Sequence, residues 1–198
     1  MPTIGVLAMQ GAFAEHVRAL EESAPGVTAV EVRTLAQLDR LDGIVIPGGE
    51  STAIRKALDR CGLLTPLRDR IAAGLPSFGT CAGMIVLADA PLDGAPPCFG
   101  LLDIDVVRNG FGRQGSSAEE LVDLVEPDAF GAAHTMRGVF IRAPRITRVG
   151  ETVRVLATLR GEPVIVRQGT MLAASFHPEL TSDRTLHRAF VELVVARG

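Results

Sequence analysis

Within the first 90 residues short apolar runs alternate with amphipathic stretches, and that alternation restricts the chain to few architectures. Residues 3–8 (TIGVLA), 27–32, 43–46 and 75–79 read as strands. Between the first two, residues 12–23 place Phe13, Val17 and Leu20 on one helical face, with Glu15, Arg18, Glu21 and Glu22 off it. Residues 51–59 and 82–88 have helical character, and Thr65 followed by Pro66 reads as an N-cap with proline at the first helical position of another helix. Strands separated by helices require crossover connections, hence a parallel sheet covered on both faces.

Beyond residue 100 the strand signals crowd together, at 101–107, 139–141, 153–159, 164–166 and 171–175. Spacing this close reads as antiparallel additions to the sheet. Leu186, Phe190 and Val194 keep helical spacing in a closing helix over 182–196. The stretches 89–100 and 110–119 are rich in proline or glycine and read as loops, the second as a mobile surface loop. The expectation is an α/β fold of three layers. A mostly parallel central sheet is flanked by helices, with antiparallel additions in the second half, as one domain over residues 1–198.

Composition removes several function classes. A net charge of −3 leaves no basic footprint for nucleic acid, and the absence of Trp and Tyr removes base-stacking platforms. The apolar runs are far shorter than the ~20 residues that span a bilayer, and the first residues lack a signal-type core, so no membrane partner is expected. Cys61, Cys81 and Cys98 have no disulfide or metal spacing, which makes a reducing cytoplasm the default setting. No His, Cys, Asp or Glu cluster has metal-ligand spacing, and no cofactor is expected.

The sharpest local feature is Gly79-Thr80-Cys81-Ala82-Gly83, between a strand and a helix. It has the form of a nucleophile elbow with cysteine at its centre. A strand turning at once into a helix forces unusual backbone angles on the central residue, and small neighbours permit the turn. The thiol then stands at a helix N-terminus, where the dipole favours a thiolate, and the Ala82 N–H points at a developing oxyanion. By itself the pentapeptide also fits a buried cysteine in a tight turn.

Phe176-His177-Pro178-Glu179 changes the balance. A thiol needs a base, and the base needs a group that sets its tautomer. His177 and Glu179 lie two apart, so an extended segment would point both the same way, with Pro178 as a stiff spacer. Ile46-Pro47-Gly48-Gly49-Glu50-Ser51 ends another strand, and its glycines let backbone N–H groups approach an anion; the same turn also suits a helix capped by Ser51. Gln10 and Gly11, ending the first strand, fall on the same sheet edge, where open α/β sheets bind ligands. His16 and His187 lie in helical patterns and read as surface residues, His134 has no partner the sequence supplies, and Cys61 and Cys98 read as structural.

The elbow GTCAG, the His-Pro-Glu run and the PGG turn together resemble class I, triad-type glutamine amidotransferases. The segments PGGEST at 47–52, FGTCAG at 78–83, RNGFGRQ at 108–114, GVFIRAP at 138–144 and SFHPELT at 175–181 narrow the resemblance to the glutaminase subunits of pyridoxal 5′-phosphate synthase. It extends over essentially the whole chain; Gly110 departs from it, standing where serine is expected. The resemblance implies a flavodoxin-like amidotransferase fold. It also implies hydrolysis of L-glutamine to glutamate and ammonia through a thioester on Cys81, with His177 as base and Glu179 orienting it. Gly49 and Ala82 would supply oxyanion N–H groups. Gly49, Glu50, Ser51, Arg108, Ile141, Arg142 and Gln10 would line the glutamine site, one of the two arginines taking the α-carboxylate. The implied partner is a TIM-barrel synthase subunit in a hetero-oligomer. From the residues alone, three rivals stay open: an amidotransferase serving another ammonia acceptor, a generic cysteine hydrolase, and a binding subunit.

Overall fold

The computed structural model describes residues 1–91, 98–111, 118–131 and 133–197. The chain opens with β1 (Thr3–Leu7), α1 (Phe13–Ser23), β2 (Thr28–Val32), the short α2 (Leu35–Leu38) and β3 (Gly43–Ile46). It continues through α3 (Ser51–Arg60), α4 (Leu64–Ala72), β4 (Ser77–Thr80), α5 (Ala82–Leu87) and β5 (Ala88–Pro91). The later elements are β6 (Leu102–Val107), β7 (Ala118–Leu124), β8 (Thr135–Phe140), β9 (Arg145–Val149), β10 (Arg154–Leu159), β11 (Glu162–Gln168), β12 (Met171–Ala174) and α6 (Thr185–Val195).

A nine-stranded sheet has the order β2-β1-β3-β4-β12-β11-β10-β7-β8 among the described residues. The pairs from β2 to β12 are all parallel, and those from β12 to β8 are all antiparallel. The chain therefore leaves the parallel half after α5, builds the antiparallel half, and returns along β12 to lie beside β4. In that register Ala174 stands opposite Thr80. The residues after both strands thus emerge side by side at one sheet edge, and this return is what assembles the site.

Alternation along the parallel strands sorts side chains onto the two faces. Ile4, Val6, Val45 and Phe78 pack in one core cluster with Leu20 of α1 and Leu186, Phe190 and Val194 of α6. Leu7, Ile44 and Ile46 pack in the other with Ile54, Leu58, Leu67 and Ile71 of α3 and α4 and with Met84 and Val86 of α5. A small sheet of order β5-β6-β9 extends this second layer. The three-layer α/β reading agrees with what is seen.

Several local expectations need correction. Thr65 is not an N-cap: α4 starts at Leu64, its cap position is Leu63 with no side-chain hydrogen bond, and Pro66 sits inside the first turn. Proline is tolerated there because the first N–H groups of a helix lack intrahelical acceptors anyway. Part of the 89–100 loop is strand β5, while residues 92–97 and 112–117 of the two expected loops lie outside the described residues. Ala118 and Glu119, also assigned to a loop, begin β7. Strands β7 and β9 carry no strong sequence signal because charged residues occupy their outward positions, as in Ala-Glu-Glu-Leu-Val-Asp-Leu and Arg-Ile-Thr-Arg-Val.

Candidate active site

Cys81 follows β4 directly and occupies the position before α5, with φ 49° and ψ −107°. That backbone region is strained for any residue with a Cβ. Close packing leaves the chain no other route. A methyl group on Gly83 would lie 1.9 Å from the Ile46 carbonyl oxygen, and one on Gly79 would lie 2.6 Å from the Gly83 carbonyl oxygen. The Cys81 N–H donates to the Ala174 carbonyl at 2.8 Å, tying the elbow to β12. The side chain is nearly buried, and its Sγ stands 3.8 Å from the Ile141 carbonyl oxygen.

His177 follows β12 and is anchored through its own N–H to the Val139 carbonyl of β8 at 2.9 Å. The segment after it is not extended, as the two-residue spacing suggested. Pro178–Leu180 forms a 3-10 turn with Pro178 at its start. Proline presets the φ of that first position and needs no hydrogen-bond acceptor. The turn carries the Glu179 carboxylate back so that Oε1 lies 2.8 Å from His177 Nδ1, with the Glu179 side chain fully buried. Burial lowers the His177 pKa, but hydrogen bonds with Cys81 and Glu179 and their charges outweigh it, and the pKa rises to about 10. The ring therefore carries a proton at neutral pH, between the Cys81 thiol and the Glu179 side chain.

The PGG turn brings Gly48 against the same ring. Glu50, rather than Ser51, caps α3: its carboxylate accepts from the N–H groups of Thr52 at 2.9 Å and Ala53 at 2.7 Å. A carboxylate reaches both N–H groups at once, whereas a serine hydroxyl would serve one. Partial burial raises the Glu50 pKa, yet these bonds outweigh it and hold the carboxyl below its ordinary value. Arg108 Nη1 lies 3.2 Å from Thr52 Oγ1 and 3.5 Å from Glu50 Oε1.

A cleft of about 370 Å³ opens over the thiol, lined by Gly49, Glu50, Ser51, Cys81, Ala82, Ile85, Arg108, Asn109, Ile141, Arg142 and His177. Residues nominated from five separate sequence segments thus meet in one place. Gln10 stands beside the cleft, its Oε1 accepting from the Glu50 N–H at 3.3 Å. Sequence reasoning missed Ile85 and Asn109; the first was hidden in a helical run and the second by its polar neighbourhood. It also misplaced His16 and His187, which are both 0% exposed. Their helices pack α1 against α6 over the sheet, and both rings point into that seam. Burial, against the charge on Arg55, pushes the Cys98 thiol up to about 11, and Cys61 is exposed near the end of α3. Among the described residues no group of His, Cys, Asp and Glu could hold a metal, and no helix is long and apolar enough to cross a membrane.

An open α/β sheet with a cysteine elbow, an adjacent His-Glu pair and a cleft at the strand ends holds the groups that thiol-nucleophile chemistry requires. A solved glutamine amidotransferase structure superposes with a TM-score of 0.87 at 46% identity, covering 97% of this chain and 98% of the other. The match to the SNO glutamine amidotransferase family runs over residues 6–196, and the chain belongs to that family. The pyridoxal 5′-phosphate synthase subunit PdxT of Kineococcus radiotolerans is 53% identical over 99% of this chain and 96% of its own length. The PdxT of a Parafrankia species is 54% identical over 98% and 93%.

Proposed function

We propose that this chain hydrolyses L-glutamine to L-glutamate and ammonia, and that the ammonia feeds a partner synthase subunit in pyridoxal 5′-phosphate (vitamin B6) biosynthesis. The observation that carries the reading is the line from Cys81 and His177 in the cleft to the buried Glu179 behind them, with Glu179 Oε1 2.8 Å from His177 Nδ1. The names of relatives at 53% and 54% identity supply the pathway.

In this reading the thiol proton resides on His177 in the reactive form, stabilised by Glu179. The Cys81 sulfur attacks the side-chain amide carbon of glutamine, and the oxyanion takes N–H groups of Gly49 and Ala82. His177 Nε2–H gives its proton to the amide nitrogen, the C–N bond breaks, and ammonia leaves behind a γ-glutamyl thioester on Cys81. His177 then takes a proton from water, the hydroxide attacks the thioester carbon, and the C–S bond breaks to release glutamate. Arg108 and Arg142 line the cleft as cations, and one of them takes the α-carboxylate. Glu50, Ser51, Ile141 and Gln10 shape the rest of the glutamine site.

The partner in this proposal is a TIM-barrel synthase subunit held in a hetero-oligomer, with no nucleic acid or membrane involved. The setting is the cytoplasm, where a nucleophilic thiol stays reduced. Glutamate and ammonia release, measured with and without that subunit, tests both parts. Turnover that requires Cys81 and rises when the synthase is added is the expected result. Glutamine hydrolysis retained by Cys81→Ala would overturn the assignment.

A further inference from the structure

Behind Glu179 lies a buried histidine pair that the reaction outlined above does not use. His16 on α1 and His187 on α6 are fully buried, with His16 Nδ1 3.0 Å from His187 Nε2. The other ring nitrogen of His16, Nε2, stands 3.1 Å from Thr80 Oγ1 and 3.3 Å from Glu179 Oε2. Thr80 immediately precedes Cys81. One imidazole therefore touches the residue beside the nucleophile and the carboxylate at the far end of the triad.

Protonation follows from the surroundings. Burial lowers the pKa of both rings, His187 to about 3 and His16 well below its ordinary value, so both are neutral at pH 7. A neutral imidazole has one N–H and one bare nitrogen. Across the 3.0 Å contact one ring donates and the other accepts, which leaves two arrangements.

If His16 donates from Nδ1, its bare Nε2 faces the Glu179 carboxylate oxygen, a repulsive contact. His187 then carries its proton on Nδ1, a buried atom with no hydrogen-bond partner among the described residues. If His187 donates from Nε2, the Nε2–H of His16 is directed to Thr80 Oγ1 and lies beside Glu179 Oε2. Only a bare nitrogen, His187 Nδ1, is then left unpaired. An orphaned buried N–H is rarer and costlier than an under-used acceptor, and the second arrangement also removes the repulsion.

We infer that His16 is a positioning residue for Glu179, its Nε2–H turned toward the Oε2 side of the carboxylate and held in that tautomer by His187. The inference rests on the glutaminase reading for its functional consequence. Among the described residues Glu179 Oε2 accepts no hydrogen bond, and it is fully buried, so the His16 N–H dipole is the polar group that faces that oxygen. That contact keeps the carboxylate turned so that Oε1 stays on His177 Nδ1. It is a charge–dipole contact, with the hydrogen bond itself going to Thr80.

Two measurements on the full-length chain decide it. With the four histidines labelled in nitrogen-15, long-range proton–nitrogen spectra at pH 7 are expected to show both His16 and His187 protonated on Nε2 and bare on Nδ1. A proton on His16 Nδ1, or a charged His16, overturns the inference. In steady-state glutamine hydrolysis, His16→Leu is expected to lower kcat about 10- to 100-fold with little change in KM, the range seen when groups supporting a reactive residue are removed. His16→Gln, whose amide N–H can reach the same place, should recover most of the loss. His187→Leu, which frees the His16 tautomer, should fall between them. Equal activities of the Leu and Gln variants, or a loss carried by KM, would sink the proposal. Should His16→Leu fail to fold, the comparison of His16→Gln with His187→Leu still decides, because only the second disturbs the tautomer. A wild-type chain that fails to hydrolyse glutamine would defeat the glutaminase reading instead, and leave the tautomer result standing.

Discussion

Gly48 and His177 are packed so closely that a methyl group on Gly48 would lie 2.3 Å from His177 Cε1 and 3.3 Å from the Cys81 Cβ. The ring cannot step aside without loosening its bonds to Glu179 and Cys81. Gly48→Ala is therefore expected to lower kcat about 100-fold, the scale of a misplacement near 1 Å. Overpacking of this kind lowers stability by about 1–3 kcal/mol. Kinetics together with denaturant unfolding check both numbers, and a variant with normal kcat would show that the ring has more room than the packing allows.

Cys81 offers a second test, since its backbone angles suit glycine and strain any other residue. Cys81→Gly and Cys81→Ala should both be inactive. The glycine variant should nevertheless be the more stable by about 1 kcal/mol, the relieved strain exceeding the extra entropy of its unfolded chain. Thermal and denaturant midpoints of the two variants make the comparison.

Glu179→Gln removes the charge beside His177 while keeping the shape. The histidine pKa, raised to about 10, should fall, and turnover should drop by about 100-fold or more. In the wild type the proton on His177 contributes stability that is fully present below about pH 6.5 and is lost as pH rises toward about 10. In Glu179→Gln that alkaline loss should be smaller and should end at lower pH. A histidine proton titration by NMR locates the pKa directly.

The buried pair predicts the opposite limb. His16 and His187 are neutral in the fold but protonate in the unfolded chain near pH 6.5, so their contribution is present above that pH and lost below it. His187 should add a slope of about 1.4 kcal/mol per pH unit between pH 6 and 5, where the ordinary carboxylates have barely begun to titrate, and His16 adds in the same direction. The groups facing them are Glu179 and His177 around His16, and Arg184 and Asp183 around His187. His187→Leu should lower the slope by about 1.4 kcal/mol per pH unit whatever it does to absolute stability. Unfolding free energies at a series of pH values provide the check.

The parallel half of the sheet was legible in sequence because β1, β3 and β4 are buried on both faces and α1 and α3 each carry one apolar stripe. Strand boundaries at residues 43–46 agree with the structure for that reason. Strands β7 and β9 were not legible, because an exposed strand face made of Glu, Asp and Arg resembles a loop when read without its partner strand. Nor was the cap of α3, since Glu50 and Ser51 are both chemically able to serve and only the backbone angle at Glu50 selects between them.

The residues of the elbow, the His-Pro-Glu run and the PGG turn marked Cys81, His177 and Glu179 without any coordinates. Each such segment has a composition that only a particular backbone tolerates. Tertiary structure alone decided how they meet: β12 returns beside β4, the 3-10 turn swings Glu179 onto His177, and His16 closes in from α1 behind it. A histidine in an amphipathic helix looks the same in sequence whether it faces water or the core. Which way it faces depends on the packing of α1 against α6, a contact between segments some 170 residues apart.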